Sequence, residues 1–339
     1  MELMYIRNSN GIYDSGYLSG FNVDFNISLE NGSDKNDFAL EMPLPEETAG
    51  LLYLEGEISS IIYIEGTEYG GEILGAETDI ASHKITYTGR TWRGTLDQYI
   101  IEPPAGQDYL VVSGNLTTIL RALPLSSYIQ VEDTTYSSGS FQFNRYITVH
   151  EGVRALFANA DSSLRMMISF SQTDGTYDGI ASLSIEPAKD ISDLMETSQD
   201  YGDRIQLKMT YDHTTPRHLI CLGQGELKDR EVVHLYADDN WDITQTPIAG
   251  AYPVDIYDYS SSTNLTSDGI KHYEEVIANH WQIEVSISGL EVGLGNIISA
   301  KNNLTGESIK AEISSIVYSC TDDGIVQKET YQYKTKVRI

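Results

Sequence analysis

Residues 218–236 read HLICLGQGELKDREVVHLY. An apolar, β-prone run enters Gly223-Gln224-Gly225 and leaves through charged residues into a second apolar run. Two folds compete for this pattern. A dinucleotide-binding loop needs G-x-G-x-x-G between a strand and a helix. Here the third position is Lys228, and the residues after it, DREVVHLY, alternate as a strand does. No G-x-x-x-x-G-K-[ST] phosphate loop follows either. The stretch therefore reads as two strands joined by a tight turn or bulge, whose glycines relieve a crowded backbone.

Working outward from it, β patterning dominates. ISSIIYIEG (58–66) is β-branched and aromatic, and KITYTG (84–89) alternates Ile85 and Tyr87 against Thr86 and Thr88. The paired glycines of EYGGE (68–72) suit a turn with positive φ. Short strands with close turns and no intervening helix predict an antiparallel barrel or sandwich over residues 1–104. The breaker cluster EPPAGQD (102–108) marks a boundary. Beyond it, Ser113 is placed to cap a helix over NLTTILRAL (115–123), which Pro124 ends. Thr148 and Glu151 have capping-box spacing, and Val153, Leu156, Phe157 and Ala160 then describe one buried helical face. With the strand LRMMISF (164–170), residues 105–189 read as a small α+β domain.

From residue 190 to 339 β character returns. RIQLKMTYD (204–212) and HLICLG (218–223) read as neighbouring strands across the polar turn HTTPR. A helical insertion is predicted around 262–281, with Ile270, Tyr273 and Ile277 on one face and Trp281 just beyond. KAEISSIVYSC and IVQKETYQYKTKV flank TDDG as a hairpin. Residues 56–75 and 295–311 echo each other: each has a Gly that opens a strand, a polar turn, then Gly-Glu (Gly71-Glu72 and Gly306-Glu307) leading an Ile-containing strand. A true duplication would make the two β regions similar.

The 339 residues carry 50 acidic against 22 basic side chains, a formal net charge of −28. A duplex-DNA reader presents a basic face, so this balance argues against sequence-specific nucleic-acid binding. It fits a solvated surface, or a channel wall that DNA passes without sticking. The absence of any apolar run of about 18 residues argues against a membrane-spanning helix. The N-terminus has no signal-peptide pattern, so the sequons at Asn115, Asn264 and Asn303 carry no weight.

Cys221 and Cys320 read as buried free thiols of a protein folded in a reducing cytoplasm. The seven histidines fall in no H-E-x-x-H or H-x-H pattern, so no metal site or cofactor is expected. No G-x-S-x-G elbow occurs. The expectation is of no catalytic residues and no enzyme. Tyrosine is abundant, 23 against 7 Phe, which suits strands and half-wet interfaces and also sugar contact.

Three stretches resemble the tail hub, or baseplate hub, proteins of tailed bacteriophages, especially the siphophage hub family. GYLSGFNVDFNISLENGSDKNDFALEMPL is similar to the opening strands of that family, with Phe38, Leu40 and Pro43 at their end. ITYTGRTWRGTLDQYIIEPPAG (85–106) is similar to the segment that closes its first barrel, although Gln98-Tyr99 stands where relatives carry an Arg. TYDHTTPRHLICLGQGELKDREVVHLYAD (210–238) is the most similar: a strand, a Gly-x-Gly-Glu turn, an Arg and a Tyr, here Gly223, Gly225, Glu226, Arg230 and Tyr236.

The resemblance implies a mainly β fold with two tail-tube-like antiparallel barrels, 1–104 and 190–339, around the α+β insert. It implies a homotrimeric ring of pseudo-sixfold shape in a virion tail, assembled in the bacterial host cytoplasm. Such a ring would join a hexameric tail tube or distal tail protein to threefold tip or fibre proteins. It would meet the tape measure protein and let DNA pass through its lumen. Glu226 and Arg230 are expected to form a turn or subunit-contact ion pair. The competing reading is a carbohydrate- or receptor-binding β protein of a phage tip, with Trp241 its best exposed ring.

Overall fold

The computed structural model describes residues 2–9, 12–32, 35–44, 59–172, 179–192, 196–197, 205–211, 214–239, 241–262, 264–278, 281–287, 293–301, 308–323 and 327–337. In chain order the first elements are β1 (Leu3–Ser9), β2 (Ile12–Tyr17), β3 (Phe21–Ser28), β4 (Asp37–Pro43), β5 (Ser59–Ile64), β6 (Gly70–Asp79) and β7 (Lys84–Thr91). There follow α1 (Trp92–Thr95), β8 (Ile100–Ile101), β9 (Val111–Asn115), α2 (Leu116–Arg121), β10 (Ile129–Val131), β11 (Ser137–Gln142), β12 (Ile147–Thr148), α3 (Val149–Ala160), β13 (Leu164–Gln172) and β14 (Gly179–Pro187). The remainder comprises β15 (Glu196–Thr197), β16 (Ile205–Tyr211), β17 (His218–Leu222), β18 (Val232–Ala237), β19 (Ile243–Thr244) and β20 (Val254–Asp258), then α4 (Leu265–Ala278), β21 (Trp281–Ile287), β22 (Ile297–Lys301), β23 (Ser308–Asp322) and β24 (Gln327–Val337). The protein is mainly β with small helical parts, as the sequence predicts.

The chain divides into two compact units. One comprises Met1–Lys189, Ile287–Asn296 and Ser314–Tyr333, the other Asp190–Ser286, Ile297–Ile313 and Lys334–Ile339.

In the first unit the strands run in the order β23-β3-β4-β7-β6-β5-β1-β2, every pair antiparallel. Period-two alternation sends Phe21, Val23, Phe25, Phe38, Leu40, Ile85, Tyr87, Tyr318 and Cys320 into one core. The run in β5 is apolar without alternation because both its faces are covered. Ile62 and Ile64 join that core, while Ile61 and Tyr63 join a second one built from α2, α3, β10, β13 and β14. Among the described residues this strand path does not close into a barrel.

In the second core, β13 and β14 are antiparallel and β10 adds in parallel. Thr148 caps α3 as expected, its hydroxyl accepting from Glu151 N–H at 3.2 Å, and Val149, Val153, Leu156 and Phe157 are buried. Two local expectations are corrected. The cap of α2 is Asn115, which directly precedes the helix and accepts from Thr118 N–H at 3.2 Å, whereas Ser113 lies two residues further back within β9. The glycines of EYGGE lie in a strand, not a turn; the positive φ is at Gly66 (+71°). A Cβ on Gly71 would fall 1.9 Å from the Arg90 carbonyl oxygen, and one on Gly70 2.7 Å from the Trp92 indole nitrogen. The requirement there is close approach of β7 and α1, not turn geometry.

In the second unit β22 pairs antiparallel with the first half of β23, and β15 adds to β22 in parallel. The two echoing segments thus each contain an antiparallel strand pair, β5–β6 and β22–β23; Gly306-Glu307 lie outside the described residues. A separate four-stranded sheet has the order β19-β18-β17-β20. The expectation that residues 204–212 and 218–223 pair is overturned: β16 pairs with β21, whereas β17 takes β18 and β20 as neighbours. The predicted helix is α4, which covers one face of the small sheet. Its Leu265, Tyr273 and Ile277 pack on Leu219, Cys221, Leu235 and Ala237. Gly269 permits this approach, since a Cβ there would meet Cys221 Sγ at 2.6 Å. The Tyr273 hydroxyl donates to the Pro216 carbonyl at 2.9 Å.

Candidate functional surface

The turn between β17 and β18 carries four of the five residues singled out from the sequence, and it is built by its backbone. Gly223 N–H donates to Glu231 C=O at 2.9 Å, and Glu231 N–H donates to Gln224 C=O at 2.7 Å. Gly225 has φ +96°, and a Cβ there would fall 2.5 Å from the Asp229 carbonyl oxygen. A Cβ on Gly223 would meet Leu265 of α4 at 2.8 Å. A 3₁₀ turn, Leu227–Asp229, forms the tip. Leu227 has φ +51° and is 94% exposed. A leucine held in left-handed backbone with its side chain in water is costly locally.

Arg230 does not pair with Glu226. Its Nε donates to the Gly223 carbonyl at 3.1 Å, and its Nη2 pairs with Asp258 at the end of β20. The cause is the parallel β17–β20 pairing, which places Asp258 opposite Leu222. Glu226 is exposed at the turn.

The fifth residue, Tyr236, is opposite His218 in β17. By register the sheet face away from α4 presents His218, Ile220 and Leu222, then Tyr236, His234 and Val232, then Val254, Ile256 and Asp258. Val232, Val254 and Ile256 are 46%, 47% and 60% exposed, so this face is open within the chain. His218 stacks on Tyr236 with centroids 4.4 Å apart, and His218 Nε2 lies 2.9 Å from His234 Nδ1. Burial, then the neighbouring His234, lowers the pKa of His218. The sequence hid this pair because a long turn separates the strands and leaves their register unspecified.

Other candidate groups are less suited to chemistry. Burial pushes the Cys221 thiol up to about 11 and raises that of Cys320, so neither is an activated nucleophile. No group of three or more His, Cys, Asp or Glu side chains able to hold a metal occurs among the described residues. In the first unit a shallow groove of about 370 Å³ lies on the outer face of β3, β4 and β7, lined by Asp24, Asn26, Asp37, Leu74, Thr88 and Arg90. Arg90 there donates to the Lys35 carbonyl at 2.8 Å. The ring of Trp241 carries the Arg217 guanidinium 4.9 Å from its centroid and is partly buried against the α4 core.

His150, at the start of α3, is buried with Nδ1 3.2 Å from Asp97 Oδ1. Burial lowers its pKa, opposed by Asp97 and reinforced by Arg93 and Arg154. Its neutral form is therefore favoured in the fold, and stability is lost as pH falls below about 6.5, the ordinary histidine value. A urea series from pH 7.5 to 5 should show this fall, and it should flatten in His150→Gln. An equally steep fall in the variant would assign it to other groups.

No family model matches the chain, and no curated protein matches it in sequence. In three dimensions, however, it has the fold of phage tail proteins. The 43 kDa tail protein of prophage MuSo2 from Shewanella oneidensis matches with a TM-score of 0.60 at 16% identity, covering 100% of this chain and 98% of that one. A tail protein from Neisseria meningitidis MC58 matches at 0.55 and 12% identity, over 99% and 97% of the two chains. A prophage tail protein from Listeria monocytogenes EGD-e matches at 0.52 and 10% identity, over 99% and 94%.

Proposed function

We propose that this chain is a structural hub of a phage tail tip or baseplate, located in the virion tail and assembled in the host cytoplasm. The observation that carries this reading is the end-to-end fold match, nearly complete on both chains, to three tail proteins, two of them from prophages. Three copies form a ring. Each contributes two related β regions, 1–104 and 190–339, around the α+β part 105–189, so the ring has pseudo-sixfold symmetry toward a hexameric tail tube or distal tail protein. Its other side receives threefold tip or fibre proteins, and the tape measure protein and then DNA occupy the lumen. The net charge of −28 suits a wall that repels the passing duplex. The role is architectural rather than catalytic.

The turn bearing Gly223, Gly225, Glu226 and Arg230, with Tyr236 on β18 behind it, is assigned to a subunit contact through Leu227. Light scattering at micromolar concentration should give three times the 37.7 kDa chain mass, and Leu227→Asp should shift it toward one. A stable monomer of the unaltered chain would overturn the ring; an unshifted trimer in the variant would overturn the contact alone. The carbohydrate-binding reading is disfavoured by Trp241, because Arg217 occupies a face that sugar stacking would need.

A further inference from the structure

We propose that His218 and His234 form a two-imidazole site for a borderline divalent transition cation, of the zinc or nickel class, on the open face of the small sheet. The observation is geometric. Two ring nitrogens, Nε2 of His218 and Nδ1 of His234, lie 2.9 Å apart across an antiparallel strand pair. Two nitrogens bound to one tetrahedral ion at 2.0–2.1 Å are separated by about 3.3 Å. The present contact is a hydrogen bond, in which one ring donates and the other accepts along the line between them. To share an ion, each ring tilts until both lone pairs meet at one point, a separation gain of only about 0.4 Å.

The two rings are unequally free to tilt. His218 is held by its stack on Tyr236, while His234 is exposed and can turn to meet an ion. The ring centroids are 5.1 Å apart with planes inclined at 30°, and exposed His234, Val254 and Ile256 beside them leave the solvent side of the pair open. Ile220, Val254 and Ile256 surround it, and such an apolar rim reduces competition by water. The chain charge of −28 raises the local concentration of any cation, and imidazole selects zinc or nickel over magnesium or calcium. No third His, Cys, Asp or Glu of the described residues completes the set. Water fills the remaining positions, so the affinity is that of a two-ligand site and the ion remains open to a further ligand.

The test is calorimetric titration of the full-length protein with ZnCl₂ and, separately, NiCl₂ near pH 7.5 in excess MgCl₂, which saturates the acidic surface. One equivalent per chain is expected. His218→Ala and His234→Ala should each weaken binding at least tenfold. His272→Ala, on the helix side and stacked on Tyr257 at 4.1 Å, should leave it unchanged. Circular dichroism of each variant checks that the sheet is intact. Absence of saturable binding at millimolar zinc would overturn the proposal. So would alanine variants that bind as tightly as the parent, or equal loss in His272→Ala. None of these readouts depends on the ring.

Discussion

Glu68→Ala is expected to destabilise the first unit by about 3–5 kcal/mol. Glu68 and Arg93 form a two-pronged ion pair, Nε to Oε1 at 2.6 Å and Nη2 to Oε2 at 3.1 Å, with side chains only 9% and 1% exposed. Nη2 also donates to the Met166 carbonyl at 2.7 Å. Removing the carboxylate leaves a permanent cation beside one carbonyl oxygen, with water excluded and no proton to lose, since guanidinium stays charged. For a unit of this size each kcal/mol is worth roughly 2–4 °C, so a fall of about 10 °C in Tm is expected by calorimetry. Replacing both partners by methionine should recover most of the loss, because a buried pair is weak compared with apolar packing of similar volume. An unchanged Tm in Glu68→Ala would show that Arg93 reaches solvent.

The second large effect is expected at Trp92, which follows β7 directly and begins α1. Its ring is fully buried and stacks on Phe170, with centroids 4.6 Å apart and planes within 4°; Tyr128 and Tyr63 pack around the same pair. Trp92→Ala removes this stack and leaves a cavity in the core that joins β5 to α2 and α3. The cost is about 3–5 kcal/mol, again read as a Tm shift. Trp92→Phe should cost less, since it keeps the aromatic contact with Phe170. If the two variants were equally destabilised, the loss would lie in the indole edge beside Gly70 and not in the stack.

These two sites show how far the sequence can be read. Local patterns were legible: the cap and buried face of α3, the alternation in β7, and the helix that became α4. The fold class followed from them, and Lys228 at the third glycine position, with a strand pattern after it, sufficed to reject a phosphate loop at Gly223. Pairing between distant strands was not legible. The turn HTTPR suggested that its two flanking strands were partners, yet β17 takes its neighbours from later in the chain. The same ignorance of register hid the His218–His234 contact and sent Arg230 to Asp258 instead of Glu226. Gly70 and Gly71 looked like turn residues because a need for positive φ and a need for close packing leave the same mark in sequence.

The pairing of β3 with β23 sets an order of events during synthesis. Asn22 and Thr321, bonded side chain to side chain at 2.9 Å, are 299 residues apart. At roughly 5–20 residues per second the ribosome needs about 15–60 s to travel from one to the other. Through that interval β3 has β4 on one side and a bare edge on the other, the kind of edge on which nascent chains cross-pair. Its outward row is Asn22, Asp24 and Asn26, which keeps that edge hydrated and poorly suited to a foreign strand. Because β23 is made so late, a chain terminated before it has no complete first sheet.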